Sequence, residues 1–270
     1  GAGSAVMMPS AYTLGARVLP NRRATAVGVM GAGNNLALAV GPALGLTLYG
    51  RYGAAGLFLP AGGAAGVGLL LALFAPRQPV EKTAFQFGWD GVWLRSLVAN
   101  ALQAVYFGGI VAYLPLYLHH VHGPNAGIFF SADALGVLLL RVPTGLLVDR
   151  RGSLFPKLLG IALTLGGLLA LAVPPSLTSL IAGGAGTGVG AGLFITGIMA
   201  DLANQSTDAN RGTAMALNGS SFSAGIFIGG AISGLLIGPG GFSAILLFGG
   251  ITTLIAFPFA ARRRQVIPMG

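Results

Sequence analysis

Cysteine is absent from this 270-residue sequence, and charge is scarce: Asp, Glu, Lys and Arg make up only 8% of it. Without cysteine there is no disulfide framework and no thiolate metal site, and nothing to read the redox compartment from. Ordinary soluble domains carry about 25% charged residues, and a soluble chain of this length has too little interior to hide the apolar remainder. Six acids and three histidines offer no paired intramembrane carboxylates, metal-ligand set or nucleophile–base pair in sequence. Neither an enzyme nor a cofactor is expected. The Gly-rich run 183–192 lacks the strand context and lysine of a phosphate loop. Its small residues at helical spacing read instead as a packing face.

What fills the chain is apolar: 54% hydrophobic residues, a mean hydropathy of +0.80, and 46 glycines. Lipid is the natural solvent for it, and small residues let membrane helices approach where apolar burial gains little. Stretches long enough to span, about 20 residues each, fall at 1–18, 23–50, 54–75, 92–118, 126–148, 154–174, 177–202, 211–237 and 241–261. Short polar breaks such as Gly50-Arg51-Tyr52-Gly53 and Gly238-Pro239-Gly240 separate them. The expected fold class is all-α, a polytopic transmembrane bundle of about nine helices.

A formal charge of +9 would suggest nucleic acid in a soluble protein, but here the cations sit in the breaks. Assigning alternate breaks to one side collects Arg17, Arg22, Arg23, Arg77, Lys82, Arg95, Arg150, Arg151, Lys157, Arg211 and Arg262 to Arg264 there, 13 of the 15 basic residues. The other side holds Arg51, and Arg141 lies within a span. This positive-inside pattern predicts a cytoplasmic C-terminus, with the His119–Asn125 loop outside. Trp89 and Trp93 flank a span entry, where an interfacial aromatic belt is expected. Thirteen arginines against two lysines, with Ala and Gly abundant, fit a GC-rich bacterial genome and hence a bacterial inner membrane.

An internal repeat organises the chain. Arg23-Ala24-Thr25-Ala26 lies over Arg211-Gly212-Thr213-Ala214 at an offset of 188, which also pairs Gly31 with Gly219, Gly41 with Gly229 and Gly53 with Gly241. Spans two and eight are six apart, so the unit is a six-helix repeat of the kind found in transporters whose halves rock about a central site. The expected organisation is 1–75 as the last three helices of one half, 76–91 as a cytoplasmic linker, and 92–270 as a complete second half. On that count, three helices are expected upstream of Gly1.

The run Arg141-Val142-Pro143-Thr144-Gly145-Leu146-Leu147-Val148-Asp149-Arg150-Arg151-Gly152 resembles the signature loop of the major facilitator superfamily, in its second-half copy. Tyr113-Leu114-Pro115-Leu116-Tyr117, Arg211-Gly212-Thr213-Ala214-Met215-Ala216, and Gly28, Gly41-Pro42 and Gly45 resemble motifs of its efflux-type members; Ala37 and Leu46 stand where the last of these has glycine, and Ser153 and Leu154 replace the basic pair that usually closes the loop. The resemblance implies nine helices of a 6+6 fold, and proton-coupled export of a small organic solute or drug by alternating access. Its expected partners are that solute, protons and the bilayer. The alternative is a truncated, non-transporting scaffold or sensor of the same fold.

Several residues carry these expectations. Asp149 ends a helix where the macrodipole disfavours an acid, so Gly145, Asp149, Arg150 and Gly152 form either a cytoplasmic latch or a solvated turn. Arg141, about 12 Å up that helix, is either a binding group or a hydrogen-bonding hub. Asp133, another 12 Å or so outward, is a proton-coupling candidate or a wet vestibule residue. Asn100, Gln103 and Tyr106 share a face at i, i+3, i+6; the resemblance makes them substrate contacts, and interhelical bonding is the plainer reading. Asn34 and Asn35, about 17 Å into their helix, give the cavity one amide. His119, His120 and His122 read as an interfacial cluster, and Asp201 as a capping or pairing residue.

Overall fold

A computed structural model describes residues 23–74, 91–206 and 210–261. Every regular element among them is helical. In chain order these are α1 (Arg23–Leu73), a 3-10 turn (Gly91–Trp93), α2 (Leu94–His120), α3 (Gly127–Arg151), α4 (Leu154–Leu171), α5 (Leu177–Asn204) and α6 (Arg211–Ala261). The expected first span, 1–18, and all but Gly91 of the expected linker lie outside the described residues. So do the side chains of Asn34, Asn35, Arg141 and Asp149.

α1 and α6 are each two spans joined at one glycine. Gly53 has φ 62 and ψ −151, and Gly241 has φ 61 and ψ −163, a backbone region open essentially to glycine alone. The chain folds back at both. A Cβ on Gly45 would lie 3.0 Å from Leu57, yet twelve residues of continuous helix would part them by about 18 Å. In α6, a Cβ on Gly109 of α2 would meet Ser233 at 2.5 Å and Ile245 at 2.7 Å, again twelve residues apart. Gly45 and Leu57 shifted by 188 are Ser233 and Ile245, so the repeat extends to the register of the two hairpins. The sequence expectation placed loops at 50–53 and 238–240; helix instead runs up to a one-residue turn.

Inside the bundle α5 is flanked by α3 and α4, α2 runs along α6, and α1 packs on α3. Small residues make this possible, as the expectation for 183–192 had it. A Cβ on Gly184 would strike the Phe129 carbonyl and one on Gly188 the Asp133 carbonyl, both on α3, while one on Gly186 would meet Gly167 of α4 at 2.8 Å. Ser176 begins α5 with a capping box, exchanging bonds with Ser179 at 3.0 and 2.8 Å.

Two apolar cores sit at opposite ends. One gathers Ile110, Leu114 and Leu118 of α2, Phe129 and Phe130 of α3, Leu168, Leu180 and Phe242, with Leu46 of α1 against it. The other gathers Trp93, Leu97, Ile161, Phe194, Ile198, Leu202 and Ala260. Trp93 is a correction: it is 0% exposed, and its indole donates to the Gln205 carbonyl at 3.3 Å. The turn before α2 tucks the ring under the bundle, so it makes no aromatic belt.

Candidate functional site

Between the two cores lies a polar layer crossing five helices. Along α2 it begins where Leu97 gives way to Asn100, and it ends at Tyr106, which already touches the other core. Asn100, Gln103 and Tyr106 are all buried on one face, as their spacing predicts. Each reaches a different helix. The Asn100 amide donates to Asn218 of α6, at 3.0 Å to its carbonyl and 3.1 Å to its side chain, and to Ser221 at 3.1 Å. Gln103 donates to the Thr164 hydroxyl of α4 at 2.9 Å. The Tyr106 phenol donates to the Thr187 carbonyl of α5 at 3.4 Å.

Asp133 of α3 closes the layer. It is 8% exposed, and the Thr187 hydroxyl lies 2.7 Å from its Oδ1. Among the described residues no cation pairs with it; the ion pair found there joins Lys157 and Asp201. The expectation of a wet outer vestibule for Asp133 does not match this conformation, because the glycines of α5 bring a neighbouring helix down over the acid.

The layer is incompletely satisfied. Among the described residues, Asn100 Oδ1 and Gln103 Oε1 are buried with no hydrogen-bond partner, as are the hydroxyls of Thr144, Ser233 and Thr253. Buried polar atoms in native proteins are overwhelmingly paired, so these are places for water or a ligand's donors.

The signature-loop residues lie at the end of α3. Gly152 adopts φ 75 and ψ 173, a backbone region open essentially to glycine alone, and its N–H donates to the Val148 carbonyl at 2.8 Å. Arg150 is exposed, and Arg151 sits 5.1 Å over the Phe155 ring. At Gly145, among the described residues, nothing comes within 4 Å of a Cβ. Just beyond the loop, Asp201 of α5 takes a hydrogen bond from Ser153 and pairs with Lys157 at 2.5 Å. Pairing was expected for Asp201. Lys157, expected among the loop cations, is buried instead.

Thr164, Thr187, Asn218 and Ser221 were missed. Their only signal was a hydroxyl or amide inside an apolar span, which says that a partner exists but not which helix carries it. His119, His120 and His122 are exposed around the turn after α2.

The sequence profile of the Major Facilitator Superfamily matches residues 1–181 and, overlapping them, 124–268. An uncharacterised MFS-type transporter of Salmonella typhimurium is 25% identical over 230 residues, which cover 81% of this chain and 57% of that protein. The chain thus matches little more than half the length of this relative.

Proposed function

This chain belongs to the major facilitator superfamily, and from that premise we propose that it serves a secondary transporter exporting a small organic solute in exchange for protons, by alternating access in a bacterial inner membrane. The observation that carries this reading is the polar layer between two apolar cores, with the buried acid Asp133 at one side, hydrogen-bonded to Thr187 and without a cation partner among the described residues. Asn100, Gln103 and Tyr106, with Asn34, Asn35 and Arg141, are the proposed solute contacts. The free acceptors Asn100 Oδ1 and Gln103 Oε1 suit a solute carrying N–H or O–H donors. Asp133 is the proposed proton carrier. Gly145, Asp149, Arg150 and Gly152 are the proposed latch at the cytoplasmic end. Residues 92–270 make one six-helix half, and 1–75 belong to the other; the shared hairpin register about Gly53 and Gly241 supports that division.

Inverted membrane vesicles acidified inside test the coupling, using ethidium and a panel of small organic acids and amines as probes. We expect at least one probe to accumulate and to discharge the pH gradient, and Asp133→Asn to abolish both. A probe that accumulates equally after the gradient is collapsed would sink proton coupling.

A further inference from the structure

Among the described residues, Thr187 is the one in the polar layer that hydrogen-bonds both the acid Asp133 and a side chain of α2, that of Tyr106. Its hydroxyl lies 2.7 Å from Asp133 Oδ1, 2.9 Å from the Gly183 carbonyl and 3.2 Å from the Gly184 carbonyl. Its own carbonyl accepts from Tyr106. Thr187 is 0% exposed, so water does not compete for these bonds. The flanking glycines set the reach. A Cβ on Gly184 or Gly188 would collide with α3 backbone, and only that close approach lets so short a side chain touch an acid on the next helix.

A hydroxyl has one proton to donate and two lone pairs to accept with. Against a charged Asp133, Thr187 must donate to the carboxylate, which offers only acceptors. A protonated Asp133 keeps an acceptor oxygen but gains an O–H of its own, so the bond can reverse: the carboxyl O–H donates to Thr187 Oγ1, and the threonine proton swings to the Gly183 carbonyl of its own helix, 2.9 Å away. No proton leaves Thr187 in either case. Back-bonding of this kind to a carbonyl four residues earlier alters and often bends a helix. We propose that Thr187 is the positioning partner of Asp133, whose hydroxyl reverses with that acid's proton state and hands the change to the backbone of α5. The inference rests on the reading of Asp133 as a proton carrier.

Few charged groups face this point. From α2 there is Tyr106. The acid of α5, Asp201, and the lysine of α4, Lys157, are tied to each other near the opposite end. Arg51 of α1 is exposed, and Arg141 of α3 is eight residues, or about 12 Å, along the same helix.

Infrared difference spectroscopy of the chain in lipid vesicles, titrated with pH, tests this without a known solute. With only six acids in the sequence, the stretch of a protonated buried carboxyl is assignable by its loss in Asp133→Asn. We expect that band together with an amide signal from helix backbone. Thr187→Ser should keep both. Thr187→Val should move the carboxyl band to higher wavenumber, as the hydrogen bond is lost, and remove the amide signal. Thr187→Ala serves in its place if the valine variant does not assemble. Unchanged carboxyl and amide bands in the hydroxyl-free variant overturn the role of Thr187 while leaving Asp133 a proton carrier. The absence of any Asp133-dependent band in the parent protein overturns the Asp133 reading, and this inference with it.

Discussion

At the scale of single residues, the buried charges among the described residues separate into one satisfied pair and one exception. Lys157 holds Asp201 at 2.5 Å with Ser153 on the acid's other oxygen, and the lysine side chain is 5% exposed. Removing one member of such a pair strands the other, at a cost of about 3–5 kcal/mol in soluble proteins. Asp201→Ala is therefore expected to lower the thermal midpoint in detergent clearly. The double variant Lys157→Met/Asp201→Leu should recover most of that loss, because neither charge is then left alone. A double variant no better than the single one would mean that the ions do more than satisfy each other. Much of this was legible: a lone acid near a helix end asks for a partner. The partner was not, since Lys157 lies 44 residues away and looked like one more loop cation. Trp93 was misplaced for a similar reason, because a tryptophan beside a span entry reads alike whether its ring turns to lipid or under the bundle.

Helices were the most legible elements, since an apolar stretch of spanning length has few alternatives in a membrane. Their junctions were less so. The break at 50–53 contains the turn glycine Gly53, and that at 238–240 stops one residue short of Gly241; neither short polar break reveals that the turn collapses onto one glycine. The paired conformations at Gly53 and Gly241 make a sharp prediction. A Cβ at either position meets nothing within 4 Å, so any penalty for Gly241→Ala is conformational, of about 1–3 kcal/mol. Gly238, three residues earlier, is equally open to a Cβ and has no positive φ. Gly238→Ala is expected to be neutral or slightly stabilising. Comparing thermal midpoints of the two alanine variants isolates backbone strain from packing; equal midpoints would mean that the turn at Gly241 relaxes freely.

For the whole molecule, the helices alternate in direction, and so sort the charges by end. α2 ends at the exposed His119 and His120, with His122 in the following turn; Leu46, near Arg51, packs into the apolar core of that same end. Arg95, Arg150, Arg151 and Lys157 lie at the other end, at the start of α2, the close of α3 and the start of α4. α3 alone, at 25 residues, carries the chain about 37 Å between them, enough to cross a hydrocarbon core of about 30 Å. The fold separates the ends without saying which faces the cytoplasm; only the excess of arginine does that, by the positive-inside rule. The absence of native cysteine makes the orientation directly testable. Single cysteines at His122 and Arg150 occupy exposed positions at opposite ends. In intact cells an impermeant maleimide is expected to label the cysteine at 122 at once, and that at 150 only after the membrane is permeabilised. Labelling of 150 from outside, with 122 protected, would invert the protein in the membrane. The latch proposed around Gly152 would then face the wrong compartment.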